Sequence, residues 1–586
     1  MVTAAWLNWL TQTERGELSE LHGSVASTWV PRVKSETATC IAERCRHFHR
    51  CFAFKARREA RQAHVVITNH ALLLRDLAGD SFLLKPYQRL IVDEAHHLEA
   101  AATDAFGYGI SRSGVLQALR QILHDKHDQH SLLLQIKRAL SQQGSDADRW
   151  REELVQLIGL WPQTYHLTED LFAAVKQLVA DPALVDFQTR YEKEVVLALS
   201  TPLKQLPVWP QWQGEVQRWF QGLRPILEKT QDLCVGLQKI AAEMPVEALL
   251  GNLRGPLEAL QMMVARAANF CASDTGEVLW LEYDPGRRPA HVALVAAPLN
   301  VGGLLAEKLF SQKRSVVLTS ATLTLQNSFD YLKRRLGLQG PLLDRCFERQ
   351  LPSEFDYARQ ALLCLPTDLN WSGQDRTAAR QLAQWLLPIL QASQGRALIL
   401  FTSYALLEQV AQQLRDPARR CGLTVLSQNQ MLSSRRVVFE RFKSGDGPTF
   451  LLATSSFWEG IDVPGEALSL VVVVKLPFDV PSDPLVQART QAIEAEGESG
   501  FMQYHLPRAV LRFKQGVGRL IRSRSDRGVV LVLDERVSTK GYGQYFLDAV
   551  PDYSVFKGSQ AEIVEEVRNW LAMTEFKLSE LKSSAQ

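Results

Sequence analysis

The six residues Val92 to His97, VDEAHH, place two neighbouring carboxylates directly behind the apolar run LIV at 90 to 92. Asp93 is of the type that holds Mg²⁺ through its water shell, because that ion keeps several waters and takes only one or two carboxylates. Glu94 is placed to orient and deprotonate an attacking water, and His96 to link the state of a bound nucleotide to a neighbouring domain. Together these form half of a site for nucleoside-triphosphate hydrolysis. The other half, a glycine-rich GxxxxGK[ST] loop that cradles the phosphates, occurs nowhere in the 586 residues. On its own the hexapeptide is equally well a charged turn after a strand.

Three further segments shift that balance. SVVLTSATL ends in Thr319, Ser320, Ala321 and Thr322, whose small hydroxyl side chains suit a hinge hydrogen-bonded to the carboxylate box. SSFWEGIDVPG places Gly460 and Asp462 behind another strand, and Thr319, Ser320, Gly460 and Asp462 read as nucleotide-contacting positions. KQGVGRLIRS places Gln515, Arg519 and Arg522 at the start of a helix, with the two arginines three residues apart on one face. Guanidinium groups converging there would stabilise charge developing on a transferring γ-phosphate. A solvated basic helix has the same composition; the ordered set of four motifs argues against that reading.

The elements that must position these residues are legible as short apolar runs bounded by polar or turn residues, the pattern of strands buried on both faces of a parallel sheet. They are VVIT at 65 to 68, LIV, SVVLT, ALILFTS, TFLLAT, LSLVVVV and GVVLVLD. Helical patterns such as RTAARQLAQWLLPILQAS and YALLEQVAQQLRD lie between the later ones, so α/β layers with right-handed crossovers are expected. From about 101 to 275 the chain is rich in Leu, Gln, Ala and Glu with helical periodicity and almost no strand-like runs. It reads as a helical domain inserted into an α/β domain that resumes at VLWLEY; an independent tandem domain is the alternative. Its Trp150, Trp161, Trp209, Trp212 and Trp219 read as core anchors, because their spacing has no repeat.

Composition sets outer bounds. Hydrophobic residues make up 46% and charged residues 22%, so sizeable cores are expected, in three or four domains of about 100 to 200 residues. A net charge of +2 offers no general attraction to phosphate, so a nucleic-acid surface must come from local clusters. The start of the sequence lacks the basic region and cleavage site of a secretory signal, and no run approaches the roughly 18 apolar residues of a membrane span. A cytoplasmic protein without a membrane partner is expected, and its eight cysteines are not a disulfide scaffold.

With these residues in view, the chain resembles the superfamily 2 helicases, and specifically the DinG/XPD group of iron–sulfur DNA helicases. NHALLL, VDEAHH, TSATL, LPSEFDY, LFTSY, ATSSFWEGIDVPG, KLPF and QGVGRLIR occur in that group's order, from roughly Trp6 to the C-terminus. The resemblance implies an α/β fold of two RecA-like parallel-sheet motor domains that clasp ATP and Mg²⁺, the first carrying an iron–sulfur insertion and a helical arch. The expected division is a lead-in remnant of the first motor domain at 1–35, a cysteine insertion at 36–62, first-motor segments at 63–100 and 276–345, the arch at 101–275 and the second motor at 346–586. It also implies movement 5′ to 3′ on single-stranded DNA, forked duplex or R-loop substrates, a monomer, and a DNA-repair setting. Trp458 is expected to contact either nucleotide or DNA.

Cys40, Cys45 and Cys51 match the spacing of the group's last three cluster ligands, so the resemblance implies three of the four thiolates of a [4Fe–4S] cube. The fourth lies upstream in the group, and no cysteine precedes Cys40 here. An incomplete cluster, a zinc site borrowing His47 or His49, and plain reduced thiols all stay open. Cys234, Cys271, Cys346, Cys364 and Cys421 read as core residues. Over residues 41 to 62, Arg44, Arg46, Arg50, Lys55, Arg57, Arg58 and Arg61 face only Glu43 and Glu59, an excess of five positive charges. With Phe48, Phe52 and Phe54 between them they suit a single-stranded DNA path, although the rings pack equally well around a metal site.

The missing phosphate loop leads to the expectation of a shortened first motor domain, from a late start codon or a broken gene, with an unpaired sheet edge and no ATPase activity in the 586-residue polypeptide. The alternative is a non-catalytic single-stranded-DNA-binding or adaptor protein. An exonuclease–helicase fusion would need an N-terminal domain with clustered acidic metal ligands, a pattern these residues do not carry.

Overall fold

The computed structural model describes residues 2–20, 47–79, 84–124, 131–141, 148–191, 194–240, 246–272, 276–369, 377–428, 435–444, 447–454, 465–550 and 552–583. The chain divides into two units. One comprises 1–90, 98–316 and 482–488, the other 91–97, 317–481 and 489–586.

The second unit is built on a seven-stranded parallel sheet. Its strands are β8 (Ala361–Pro366), β9 (Ala397–Leu400), β10 (Thr424–Ser427), β11 (Thr449–Ala453), β12 (Leu470–Val473), β13 (Gly528–Val532) and β14 (Ser554–Gly558), in the order β10-β11-β9-β12-β13-β8-β14. β9, β11, β12 and β13 are buried along their whole length, as their continuous apolar runs require. Alternation splits each strand between two cores. Leu398 and Leu400 join Phe442, Val510 and Phe513 on one face, while Ala397 and Ile399 join Leu386, Leu407, Ile563 and Val567 on the other. The sequence expectation of α/β layers with helices on both faces holds here.

The first unit is different. β2 (Tyr108–Ser111), β3 (Gln188–Tyr191), β4 (Glu194–Ala198), β5 (Glu277–Asp284) and β6 (His291–Pro298) form an antiparallel sheet in the order β2-β6-β5-β4-β3. One face of that sheet shares a core with the helices Arg112–Leu123, Asp148–Ala180, Val208–Ile240 and Glu247–Ala267, in which Trp161, Trp209, Trp212 and Trp219 are buried. The expectation of an almost strand-free insertion ending near 275 is therefore corrected. VLWLEY pairs with β4 inside the helical segment and with β6 after it, both antiparallel, rather than resuming a parallel sheet, and the antiparallel unit runs on to Pro298. Its β3 reads QTRY and lacks the apolar run that marks a buried strand, while β4 does carry one in VVLA, within the segment read as helical.

The two runs expected at the heart of the first parallel sheet also differ. Residues 65–68 form no strand, and Val65 and Ile67 are 77% and 95% exposed. Among the described residues β1 (Arg89–Val92) pairs only with β7 (Ser315–Leu318), and Ile91 and Val317 are 73% and 51% exposed. Among the described residues, apolar runs of buried-strand type thus lie on the surface. Such edges ordinarily need a neighbour, a cover or charge.

Candidate nucleotide site

The carboxylate box follows β1. Val92 is buried, the chain turns, and Asp93 and Glu94 are exposed at the strand's carboxyl end, where α/β sheets bind ligands. Glu94 has φ +48°, a left-handed conformation that costs a non-glycine residue about 1 to 2 kcal/mol. Two bonds fix the turn: Glu94 N–H donates to Asp93 Oδ1 at 3.0 Å, and His97 N–H to the Glu94 carbonyl at 3.0 Å. The end of β7 runs beside it, with Thr319 N–H donating to the Val92 carbonyl at 2.9 Å and Ala95 N–H to the Thr319 carbonyl at 3.0 Å. Thr319 thus ties the two segments together through its backbone.

From this turn a chain of side chains leads to Gln515. Ser320 Oγ donates to Glu94 Oε2 at 2.9 Å and lies 2.7 Å from His96 Nδ1; Thr322 Oγ1 lies 3.2 Å from the same nitrogen and accepts from Gln515 Nε2 at 3.3 Å. The Ser320 hydroxyl has one proton and gives it to Glu94, so His96 must carry its own proton on Nδ1. His96 Nε2 lies 2.8 Å from His97 Nε2. Thr322 and Gln515 are buried while the Glu94 side chain is 55% exposed. One end of the chain is thus locked in the core and the other is open to solvent, as a water-activating carboxylate requires.

Gln515 lies in the last turn of the helix Leu506–Val517. Asp479, just after KLPF, holds that helix by accepting from Arg508 Nε at 2.6 Å and from Arg512 Nη1. Burial alone would raise the Asp479 pKa, but the two guanidiniums outweigh it and hold the carboxyl below its ordinary 3.8. Asp534, at the end of β13, similarly accepts from Leu476 N–H at 2.8 Å and from Arg536, fixing the KLPF loop to the sheet. Neither aspartate was singled out from sequence. The signal available was an Asp behind KLPF and the four-residue spacing of Arg508 and Arg512.

Arg519 and Arg522 do not share a helical face. The helix ends at Val517 and Gly518 caps it, after which Arg519 lies in a turn and Arg522 in a loop. Asp526 holds that loop by accepting from the N–H groups of Arg522 and Ser523, each at 2.8 Å. The helix reading failed because the two glycines flanking Val517 end the helix where an apolar period continues.

Gly460, Asp462 and Trp458 lie outside the described residues, as do Cys40, Cys45 and Arg46. In the basic cysteine region, Cys51 is half-buried ahead of the helix Phe52–Gln62, and Arg50, Lys55 and Arg58 are exposed with Arg57 half-exposed. The rings are engaged with protein: Phe48 and Phe54 stand 4.6 Å apart between centroids, Arg57 lies 5.2 Å over Phe54, and Phe52 packs against Gly16. The packing alternative for the phenylalanines fits this arrangement; of the cations, Lys55 Nζ donates to the Glu14 carbonyl at 3.3 Å. Of the distant cysteines, Cys234 and Cys364 are buried, Cys271 and Cys346 are half-buried, and Cys421 is exposed, which corrects its reading as a core residue.

Residues 386–553 match the helicase C-terminal domain family. The chain is 31% identical to the ATP-dependent DNA helicase YoaA of Escherichia coli, over 93% of this chain and 76% of that protein. It is 30% identical to the 3′-5′ exonuclease DinG of Bacillus subtilis, over 96% of this chain but only 59% of the longer protein. Among solved structures, an apo XPD aligns over 83% of this chain and 81% of its own at 15% identity, with a TM-score of 0.44. The chain belongs to the DinG/YoaA family of ATP-dependent DNA helicases.

Proposed function

We propose that this chain supplies most of an ATP-driven DNA helicase, with Asp93 and Glu94 as its hydrolytic carboxylates. The observation that carries this reading is the continuous hydrogen-bonded chain from Glu94 through Ser320, His96 and Thr322 to Gln515. An exposed all-oxygen pair fits Mg²⁺, whose chemistry is to neutralise charge on the phosphates. Glu94, polarised by Ser320, holds and deprotonates water. Gln515 and His96 report its state to the helix that precedes Arg519 and Arg522, the proposed cationic pair for the γ-phosphate. Gly460 and Asp462 complete the nucleotide contacts in this reading. Arg46, Arg50, Lys55, Arg57 and Arg58 follow single-stranded DNA, with Trp458 at the nucleotide or DNA edge. Movement 5′ to 3′, action on forks or R-loops, a repair role, a monomeric state and a cytoplasmic setting belong to the same proposal. No described helix is long and apolar enough to cross a membrane.

Cys40, Cys45 and Cys51 are the proposed thiolates for iron and sulfide. Among the described residues no group of three or more His, Cys, Asp or Glu is placed to hold a metal, and Cys51 is the only one of the three thiols described. The cluster therefore enters no step of this mechanism.

The 586 residues hold no GxxxxGK[ST] loop, which favours a second reading for this polypeptide by itself: single-strand binding indifferent to ATP. Two measurements on the purified polypeptide separate the readings. Binding to oligothymidine should weaken steeply with salt and be unchanged by Mg-ATP, and ATP hydrolysis should stay at background. Robust hydrolysis that Glu94→Gln abolishes would show that these residues form a working site unaided. Failure to bind single strands at low salt would remove both readings.

A further inference from the structure

A groove of about 690 Å³ runs along the helix Arg112–Leu123 in the first unit, and Pro289, in the turn between β5 and β6, also lines it. Arg112, Leu116, Arg120 and His124 stand four residues apart and form one row of its wall, with Gln117 and Gln121 in the next. Each step of four advances about 6 Å along the helix axis. Leu116 is buried, while Gln117, Arg120, Gln121 and His124 are exposed, so the groove presents polar ends at regular intervals over an apolar floor.

Every surface helix has a polar face, so the informative property is the sign of its charge. Residues 112–124 contain no Asp or Glu. Elsewhere in the same unit Arg149, Arg224 and Arg254 each donate to a Glu four residues on, at 3.0, 2.7 and 2.6 Å. Here the residue four beyond Arg112 is Leu116 and four beyond Arg120 is His124, so that neutralising pair is missing. Arg112 is held instead by Glu169 of the helix Asp148–Ala180, through Nε at 2.8 Å and Nη2 at 2.6 Å, with its side chain 32% exposed. Arg287 and Arg288 precede Pro289 in the turn, and Arg287 donates to Asp284 at 3.1 Å. Arg120 and Arg288 are exposed and enter no ion pair among the described residues. Against Glu169 and Asp284 thus stand Arg112, Arg120, Arg287 and Arg288, a local excess of two positive charges on a chain whose overall charge is +2.

We infer that this groove is a contact for the sugar–phosphate backbone of single-stranded DNA, separate in sequence from the basic cysteine region. The inference rests on the helicase reading above. A backbone contact needs cations and amide donors at intervals and no apolar anchor. A protein partner would need an aromatic or aliphatic anchor seated in a pocket, and beyond Pro289 this groove exposes no apolar side chain. The bidentate Arg112–Glu169 pair fixes the helix against its neighbour, so the row of polar ends is formed before a strand arrives.

The test is binding of a long fluorescent oligothymidine by the full chain, read by anisotropy at several salt concentrations. Arg120→Gln and Arg288→Gln should each weaken binding roughly threefold to fivefold near physiological salt and flatten the salt slope by about 0.7, the share of one phosphate contact. The two losses should multiply in the double variant. Arg120→Lys keeps the charge and should keep the slope. Arg149→Gln removes an exposed arginine that already bonds Glu153, so it should bind as wild type does. All three positions are exposed, so the thermal midpoints should stay at the wild-type value. A loss in Arg149→Gln equal to that in Arg120→Gln would reduce the effect to net charge and overturn the inference. So would a double variant with wild-type affinity and slope, which would leave the groove to an acidic protein or to solvent. Absence of binding by the wild-type chain would overturn the helicase reading itself, a result distinguishable from loss confined to the groove variants.

Discussion

Replacing Asp479 by Ala should be among the more damaging single changes in the second unit, because it strips one carboxylate from two guanidiniums. The Asp479 side chain is 11% exposed, and those of Arg508 and Arg512 are 21% and 32% exposed. Removing one partner of a fully buried pair costs about 3 to 5 kcal/mol; partial solvation of the arginines left behind lowers the expectation to about 2 to 3 kcal/mol. For a unit of this size that is a fall of roughly 4 to 12 °C in thermal midpoint at pH 7. The effect must depend on pH in one direction. The folded carboxyl titrates below its ordinary 3.8, so its contribution is complete above that value and is lost as pH falls through the folded pKa. The gap between wild type and variant should therefore narrow as pH drops from 5 towards 3. Calorimetric midpoints of the two proteins across that range are the assay. A variant that melts with wild type at pH 7, or a gap that persists undiminished at pH 3, would refute the claim that this ion pair anchors the helix bearing Gln515.

Three other changes probe different features. Thr322→Val keeps the shape of a buried residue but leaves the Gln515 amide without its acceptor, so the midpoint should fall by an amount equivalent to about 1 to 2 kcal/mol, measured by urea unfolding. Glu94→Gly removes the proposed water-activating group yet relieves a left-handed backbone, so it should leave stability unchanged or raise it by about 0.5 to 1 kcal/mol, where Glu94→Val should lower it. Burial pushes the Cys234 and Cys364 thiols up to about 12, so brief iodoacetamide treatment at pH 8, read by mass spectrometry, should label exposed Cys421 and spare those two.

The sequence was most readable where burial is complete. β9, β11, β12 and β13 are continuous apolar runs because helices cover both faces, and nothing else in a soluble chain demands such runs. The antiparallel sheet stayed hidden for the converse reason: β3 reads QTRY and has no run to find, and β2 finds its partner only in β6, with Tyr108 opposite Ala296. The carboxylate box and its hydroxyl hinge were legible because they are local motifs whose chemistry fixes residue type. Asp479 was not, since it is a lone polar residue whose meaning comes from Arg508 and Arg512, about thirty residues further along. The arginine pair was misplaced because helical spacing was extended through Gly516 and Gly518.

The strand order of the seven-stranded sheet has a consequence for how the polypeptide is made. β8 is the first of these strands to leave the ribosome, yet both its neighbours, β13 and β14, come last. At about 5 to 20 residues per second, β8 waits roughly 10 to 30 seconds for Gly528 to follow Ala361. During that interval its run ALLCLP has no sheet partner and must be shielded by a chaperone or by transient packing against the helix Ala378–Ala392. Slow codons placed before β13 would lengthen that exposure, while those placed after β14 would not, so the yield of soluble chain should depend on where translation pauses.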